Sequence, residues 1–145
     1  MNLQRSTRYG LYAAAELARR EGGEPLAVGR VADTYGIPEA VLAKVFQRLV
    51  REGVAVGTRG SGGGYHLARP ASEITLLDVV EVFEAVGSPG TCLLEGSSAR
   101  CCEQPASCPL RQVFDEVEDL NRTTLAAISL ATLVGRRRPA AGGMA

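Results

Sequence analysis

The stretch G-I-P-E-A-V-L-A-K-V-F-Q-R-L-V-R-E-G-V-A-V-G-T-R-G-S-G-G-G-Y-H-L, Gly36 to Leu67, decides the fold. Its first half reads as a helix. Pro38 sits in the first turn, where a missing N–H costs nothing, and Gly53 stops the helix after Glu52. Val41, Leu42, Val45, Phe46 and Leu49 recur at helical spacing and predict an inner face. Glu39, Ala40, Ala43, Lys44, Gln47, Arg48 and Arg51 are left largely outside. The second half reads as a hairpin, with Val54-Ala55-Val56 and Tyr65-His66-Leu67 as short strands. The tip between them, Gly57 to Gly64, is rich enough in glycine to adopt positive φ and to bring backbone N–H groups close to a phosphate.

Working outward, Val28 to Tyr35 predicts a shorter helix with Val28, Val31 and Ala32 on its apolar side, closed by Gly36 in a left-handed conformation. Two short helices joined at a glycine-containing turn form the helix-turn-helix pattern. The second helix of such a pair lies in the major groove and meets base edges with its N-terminal residues, here Glu39, Ala40, Ala43 and Lys44. A basic hairpin beside it is the wing of a winged helix. Arg59, followed by Gly60, suits the narrow, electronegative minor groove of an A·T-rich segment. A nucleotide-binding phosphate loop is the competing reading of the tip, but no G-K-[ST] follows and no strand-loop-helix frame surrounds it.

Ser6 to Arg20 predicts a first helix, capped by Ser6 or Thr7, with Tyr9, Tyr12, Ala13, Leu17 and Ala18 inward. Ile74 to Val86 predicts another, capped by Thr75, with Leu76, Val79, Val80 and Phe83 packing back on the reader. Leu110 to Val134 carries the longest helical pattern, extending on the order of 35 Å. A reader of this size covers only part of such a helix, and a two-fold copy is the commonest partner for the remainder. The expected architecture is mainly α: a winged helix-turn-helix DNA-binding domain with a two-stranded wing over 1–86, a cysteine-rich loop over 87–109, a dimerisation helix over 110–134 and a disordered basic tail over 135–145.

Composition sets bounds. Of 145 residues 46% are hydrophobic, enough for a real core, and the formal net charge is zero. Nucleic-acid contact must therefore come from a local patch. Between Arg30 and Pro70 there are six Lys/Arg against three Asp/Glu, which supplies one. No signal-peptide pattern or bilayer-length apolar run is visible, so a cytoplasmic location without a membrane partner is expected. All four cysteines, Cys92, Cys101, Cys102 and Cys108, fall in one Gly/Ser/Pro-rich stretch. In a reducing compartment such clustering points to metal binding, catalysis or redox activity rather than structural disulfides. A thiol enzyme would have only His66 as its base, and no acid/base set stands out.

The order of parts resembles the Rrf2 family of winged-helix regulators, which includes iron–sulfur cluster regulators, nitrite-sensitive nitric-oxide repressors and cysteine-metabolism repressors. The resemblance rests on T-R-Y-G-L at Thr7 to Leu11, on Gly36 to Gly53, on R-G-S-G-G-G-Y at Arg59 to Tyr65, on L-A-R-P at Leu67 to Pro70 and on I-T-L-L-D-V-V at Ile74 to Val80. It implies a homodimeric repressor on a double-stranded operator, with long helices crossing between subunits. It also implies a [2Fe–2S] or [4Fe–4S] cluster held by Cys92, Cys102 and Cys108, with Cys101 as an extra thiol. The family's fourth-ligand positions hold Arg8 and Arg111 here, and a protonated guanidinium does not ligate iron. Two cluster-free readings stand beside this one. The four thiols form disulfides under oxidant, or they hold zinc, although C-x8-C-C-x5-C lacks the paired C-x2-C of common zinc modules.

Overall fold

In the computed structural model, residues 2–84 and 108–136 are described. Cys92, Cys101 and Cys102, most of the cysteine-rich loop and the tail beyond Arg136 lie outside them.

Helix α1, Arg5–Arg19, buries a face of small residues: Thr7, Gly10, Ala13, Ala14, Ala15 and Ala18, with Leu17. Small side chains let neighbouring helices approach closely, so this face packs by shape more than by bulk. Tyr9, Ala13, Leu17 and Ala18 pack inward as expected, but the expected cap and the placing of Tyr12 need correction. The N-cap is Gln4, and Thr7 lies buried inside the helix. Tyr12 is half-exposed and rests instead against Tyr35, with ring centroids 4.9 Å apart.

Helices α2, Val28–Tyr35, and α3, Glu39–Arg51, form the helix-turn-helix pair. Gly36 closes α2 at φ 64, a left-handed conformation that costs glycine little. Ile37 is buried in the turn, and Leu42, Val45, Phe46 and Leu49 drive α3 into the core. Val41 is not part of that face; it is 41% exposed. Its position on the helix is turned past the edge of the apolar stripe, so the repeat placed it only marginally.

Strands β1, Ala55–Thr58, and β2, Gly64–Leu67, pair antiparallel with Ala55 opposite Leu67 and Thr58 opposite Gly64. The strands begin one residue later in β1 and one earlier in β2 than the sequence suggests. Leu26 adds a bridge to Tyr65, its N–H and carbonyl exchanging hydrogen bonds of 2.9 and 3.0 Å with that residue. The hairpin is thereby fastened to the chain entering α2.

A 3-10 turn at Ala71–Glu73 leads to α4, Leu76–Phe83. Thr75 caps α4 as expected, in a reciprocal capping box with Asp78. The helix is shorter than predicted and ends where Glu84 turns to extended backbone.

The C-terminal helix is the largest correction. It is not continuous from Leu110 to Val134. Helix α5 runs Pro109–Ala126, about 27 Å at 1.5 Å per residue, and a separate α6 spans Leu130–Gly135. Between them the chain pairs with the strand-like approach to α4: Leu76 N–H donates to the Ile128 carbonyl, and Leu130 N–H to that of Ile74. Ser129 then caps α6 through Thr132 N–H. The break sends Leu130, fully buried, into the core beside Ile74. Helical periodicity missed it because the break is fixed by backbone bonds and burial against the Ile74–Leu76 segment, far away in the chain.

Among the described residues, no helix is long and apolar enough to cross a membrane.

Candidate nucleic-acid interface

The glycines of R-G-S-G-G-G-Y have distinct reasons to be there. Gly60 and Gly62 stand at φ 107 and 80, where a Cβ is strained. Gly63 and Gly64 have no room for one. A Cβ on Gly63 would lie 2.4 Å from the Thr58 carbonyl oxygen, and one on Gly64 would lie 2.5 Å from that of Leu26. Tyr65 stacks on Phe46 of α3 with ring centroids 4.6 Å apart. The hairpin base is therefore locked to both α2 and α3, while its tip, with Arg59, stays exposed.

Helix α3 presents Glu39, Ala40, Lys44, Gln47 and Arg51 to solvent, with Ala43 half-buried. Ala40, Ala43, Lys44, Gln47 and Arg51 follow one outward stripe. Gln47 and Arg51 extend the expected reading face by two turns; helical spacing from Ala40 and Lys44 already pointed to them. Glu39, Gln47, Thr58 and Arg59 line a groove with Gly29 and Gly64, between α2, α3 and the wing. The Glu39 carboxylate rests near Gly29 in the first turn of α2, where the helix dipole favours negative charge. Four of the expected DNA contacts, Glu39, Ala40, Ala43 and Lys44, thus share one helix, and Arg59 and Gly60 approach from its flank.

Arg48 departs from that stripe. Its Nη2 donates to the Val82 carbonyl at 2.5 Å, and its guanidinium carbon lies 4.9 Å from the centre of the Phe83 ring. Phe83 in turn occupies the space that Gly10 leaves open. Next to it the Glu84 carboxylate accepts from the Thr7 hydroxyl and from Gln4 N–H. The Thr7 bond foremost, and then that of Gln4, hold the Glu84 carboxyl below its ordinary range. The sequence reading has Phe83 packing back on the reader and Arg48 largely outside, but not the contacts that join Arg48, Phe83, Gly10 and Glu84. A glycine inside a helix, costing about 1 kcal/mol against alanine, was the available sign that something must come close to Gly10.

Cys108 is the N-cap of α5, half-buried, with Pro109 in the first turn. It is the member of the expected ligand set that falls among the described residues, where no three metal-binding side chains converge. Arg111 pairs with Asp115 at 2.8 Å along α5. Arg8 is exposed on α1, and His66 lies on β2 opposite Val56.

No residue of α5 is buried. Leu110, Val113, Val117 and Leu120 form an exposed apolar stripe, with Phe114 at its edge. The opposite flank leans on α4, where Arg122 reaches Glu81 at 2.9 Å.

A helix-turn-helix pair, a glycine-tipped basic wing locked to it and a C-terminal helix with an exposed apolar stripe define a winged-helix DNA-binding regulator. The family model described as Rrf2, an iron-dependent transcriptional regulator, matches residues 3–136, and the chain belongs to that family. Its members are transcriptional regulators rather than enzymes. The chain is 36% identical over 134 residues to the HTH-type transcriptional regulator BadM of Rhodopseudomonas palustris, spanning 92% of this chain and 81% of that one. The solved structure of CymR, the global cysteine regulator of B. subtilis, superposes with a TM-score of 0.77 at 25% identity, covering 95% of this chain and 99% of CymR. IscR of T. potens has the same fold, with a TM-score of 0.72 at 21% identity, over 96% of this chain and 94% of IscR.

Proposed function

We propose that this regulator is a homodimeric repressor whose operator binding is set by an iron–sulfur cluster on Cys92, Cys102 and Cys108. Helix α3 enters the major groove and Arg59 the adjacent minor groove. The observation that carries the sensing half is the position of Cys108. It opens the helix whose apolar stripe the other described residues leave exposed. A group held there sits at the start of the dimer contact.

The donor chemistry fits. Thiolates are soft ligands suited to iron–sulfur clusters, and Cys108 stands at the N-cap of α5. When bound, the cluster would supply a cross-link sensitive to redox state and nitric oxide. Cys101, Glu95, Glu103, a group of the partner chain and an exogenous molecule are the candidates for a fourth ligand, because Arg8 and Arg111 are cationic and Arg111 is engaged with Asp115. The protein's own part is to present Cys108 at the start of α5, so that the state of the thiolates biases the arrangement of two readers. Any such bias equals the difference in affinity for the two arrangements and no more.

A thiol switch without a cluster is the second reading. It is favoured by the adjacency of Cys101 to Cys102, which leaves one more thiol than the three-ligand set uses. Anaerobic isolation separates the two. The cluster reading expects brown protein containing iron and sulfide, colourless after Cys92→Ala. Colourless, iron-free wild-type protein whose operator binding is lost with oxidant and restored by dithiol would establish the thiol switch instead.

For the docking itself, Arg59→Ala is expected to weaken operator binding about tenfold. Lys44→Ala should also weaken it, with a salt dependence shallower by about one if the lost contact is a phosphate. Titrations over a salt series check both, and unchanged affinity in the two variants would overturn this docking.

A further inference from the structure

Arg48 shares α3 with the reading face but turns to the end of α4. Val82 and Phe83, its two partners, sit in the last turn of that helix. The same turn holds α1, through Phe83 against Gly10 and through Glu84 against Thr7 and Gln4. Three helices therefore meet at Val82-Phe83-Glu84. On its other flank α3 is held by the Phe46–Tyr65 stack to the wing. A helix gripped on both flanks has one rotation about its own axis. Released on the α4 side, it pivots on the aromatic stack, and every outward side chain shifts relative to the groove it enters.

We propose that Arg48 is a positioning residue for sequence reading. By tying α3 to the end of α4 it sets the helix rotation, and hence which base edges Ala40, Ala43, Lys44 and Gln47 meet, without itself touching DNA. The inference rests on the docking of α3 proposed above and adds to it a residue that docking does not use. The guanidinium is suited to the task because it donates along its edge to the carbonyl while its face lies over the aromatic ring. An ammonium at the same position has no planar face to lay over the ring while it donates along an edge.

The test uses the full chain as wild type, Arg48→Lys and Arg48→Met, with the operator defined by footprinting the wild-type protein. Affinity is measured for that operator and for a scrambled duplex of equal length over a salt series. Both variants should lose about tenfold in the operator-to-scrambled ratio, the scale of one charge-assisted hydrogen bond. Scrambled-duplex affinity and salt dependence should stay at wild-type values. If Arg48→Lys behaves as wild type while Arg48→Met binds both duplexes more weakly with a shallower salt dependence, Arg48 is a phosphate contact and the inference fails. It fails equally if both affinities drop together with their ratio kept, which marks a purely structural role, or if neither variant changes anything. A wild-type protein that does not distinguish the two duplexes would instead overturn the docking of α3.

Discussion

A chain carrying Val113→Glu and Leu120→Glu is expected to sediment as a monomer and to lose operator affinity by about a hundredfold or more. Both positions are more than half exposed in the isolated chain, Val113 at 54% and Leu120 at 67%. Their replacement therefore removes almost nothing from the subunit's own core, and the far-ultraviolet helix signal should persist. In a two-fold pair both copies of the stripe lie in the same seam, so the two substitutions would place four carboxylates in one apolar contact. Like charges in a desolvated contact are strongly unfavourable. The operator consequence follows from tethering. Two readers on one palindrome bind the second half-site at a high effective concentration, and separating them forfeits a factor of about 10² to 10⁴. Sedimentation and half-site titration check this together. A variant that remains dimeric would show that the α5 stripe is not the seam.

Gly10→Ala should have the second large effect, on stability. Alanine favours a helix over glycine by about 1 kcal/mol, so on propensity alone the change would stabilise α1. The contact decides otherwise. The added Cβ would lie 2.2 Å from Phe83 Cε2 and 2.8 Å from its Cζ, and this ring is only 5% exposed. Overpacking a core against an aromatic ring costs about 1 to 3 kcal/mol or more, and a contact this short belongs at the upper end. A net loss of about 2 kcal/mol is expected, seen as a lower Tm. Phe83 must move to relieve the clash, and it carries Arg48 on its face. Operator discrimination should therefore fall alongside stability. A Tm at or above wild type would mean that the α1–α4 contact is looser than these distances.

Both substitutions probe features that differ in how far the linear chain reveals them. The helix-turn-helix pair and the wing were readable because each is specified over a few neighbouring residues. Gly36 after Tyr35, Pro38 before Glu39 and the glycines from Gly60 to Gly64 demand backbone conformations that local chemistry alone dictates. Thr75 is legible for the same reason, since its capping box with Asp78 is completed within one turn. Leu42, Val45, Phe46 and Leu49 announced the inner face of α3 by spacing. Val41 misled because an apolar side chain at the rim of a stripe satisfies the repeat whether or not anything covers it.

The residues alone determined the reading helix, the basic wing beside it, the gathering of every thiol into one stretch and the presence of a long amphipathic segment after Cys108. Tertiary structure alone decided that this segment breaks at Ala127–Ser129, that Gly10 exists to admit Phe83, and that the guanidinium of the exposed Arg48 reaches the Val82 carbonyl and the Phe83 ring at the end of α4. The reason is range. Caps, turns and helical repeats are written within a few residues of where they act, whereas Ile74 against Leu130, Gly10 against Phe83 and Arg48 against Val82 are bonds and contacts between segments far apart in the chain. Their geometry exists only once the helices have packed.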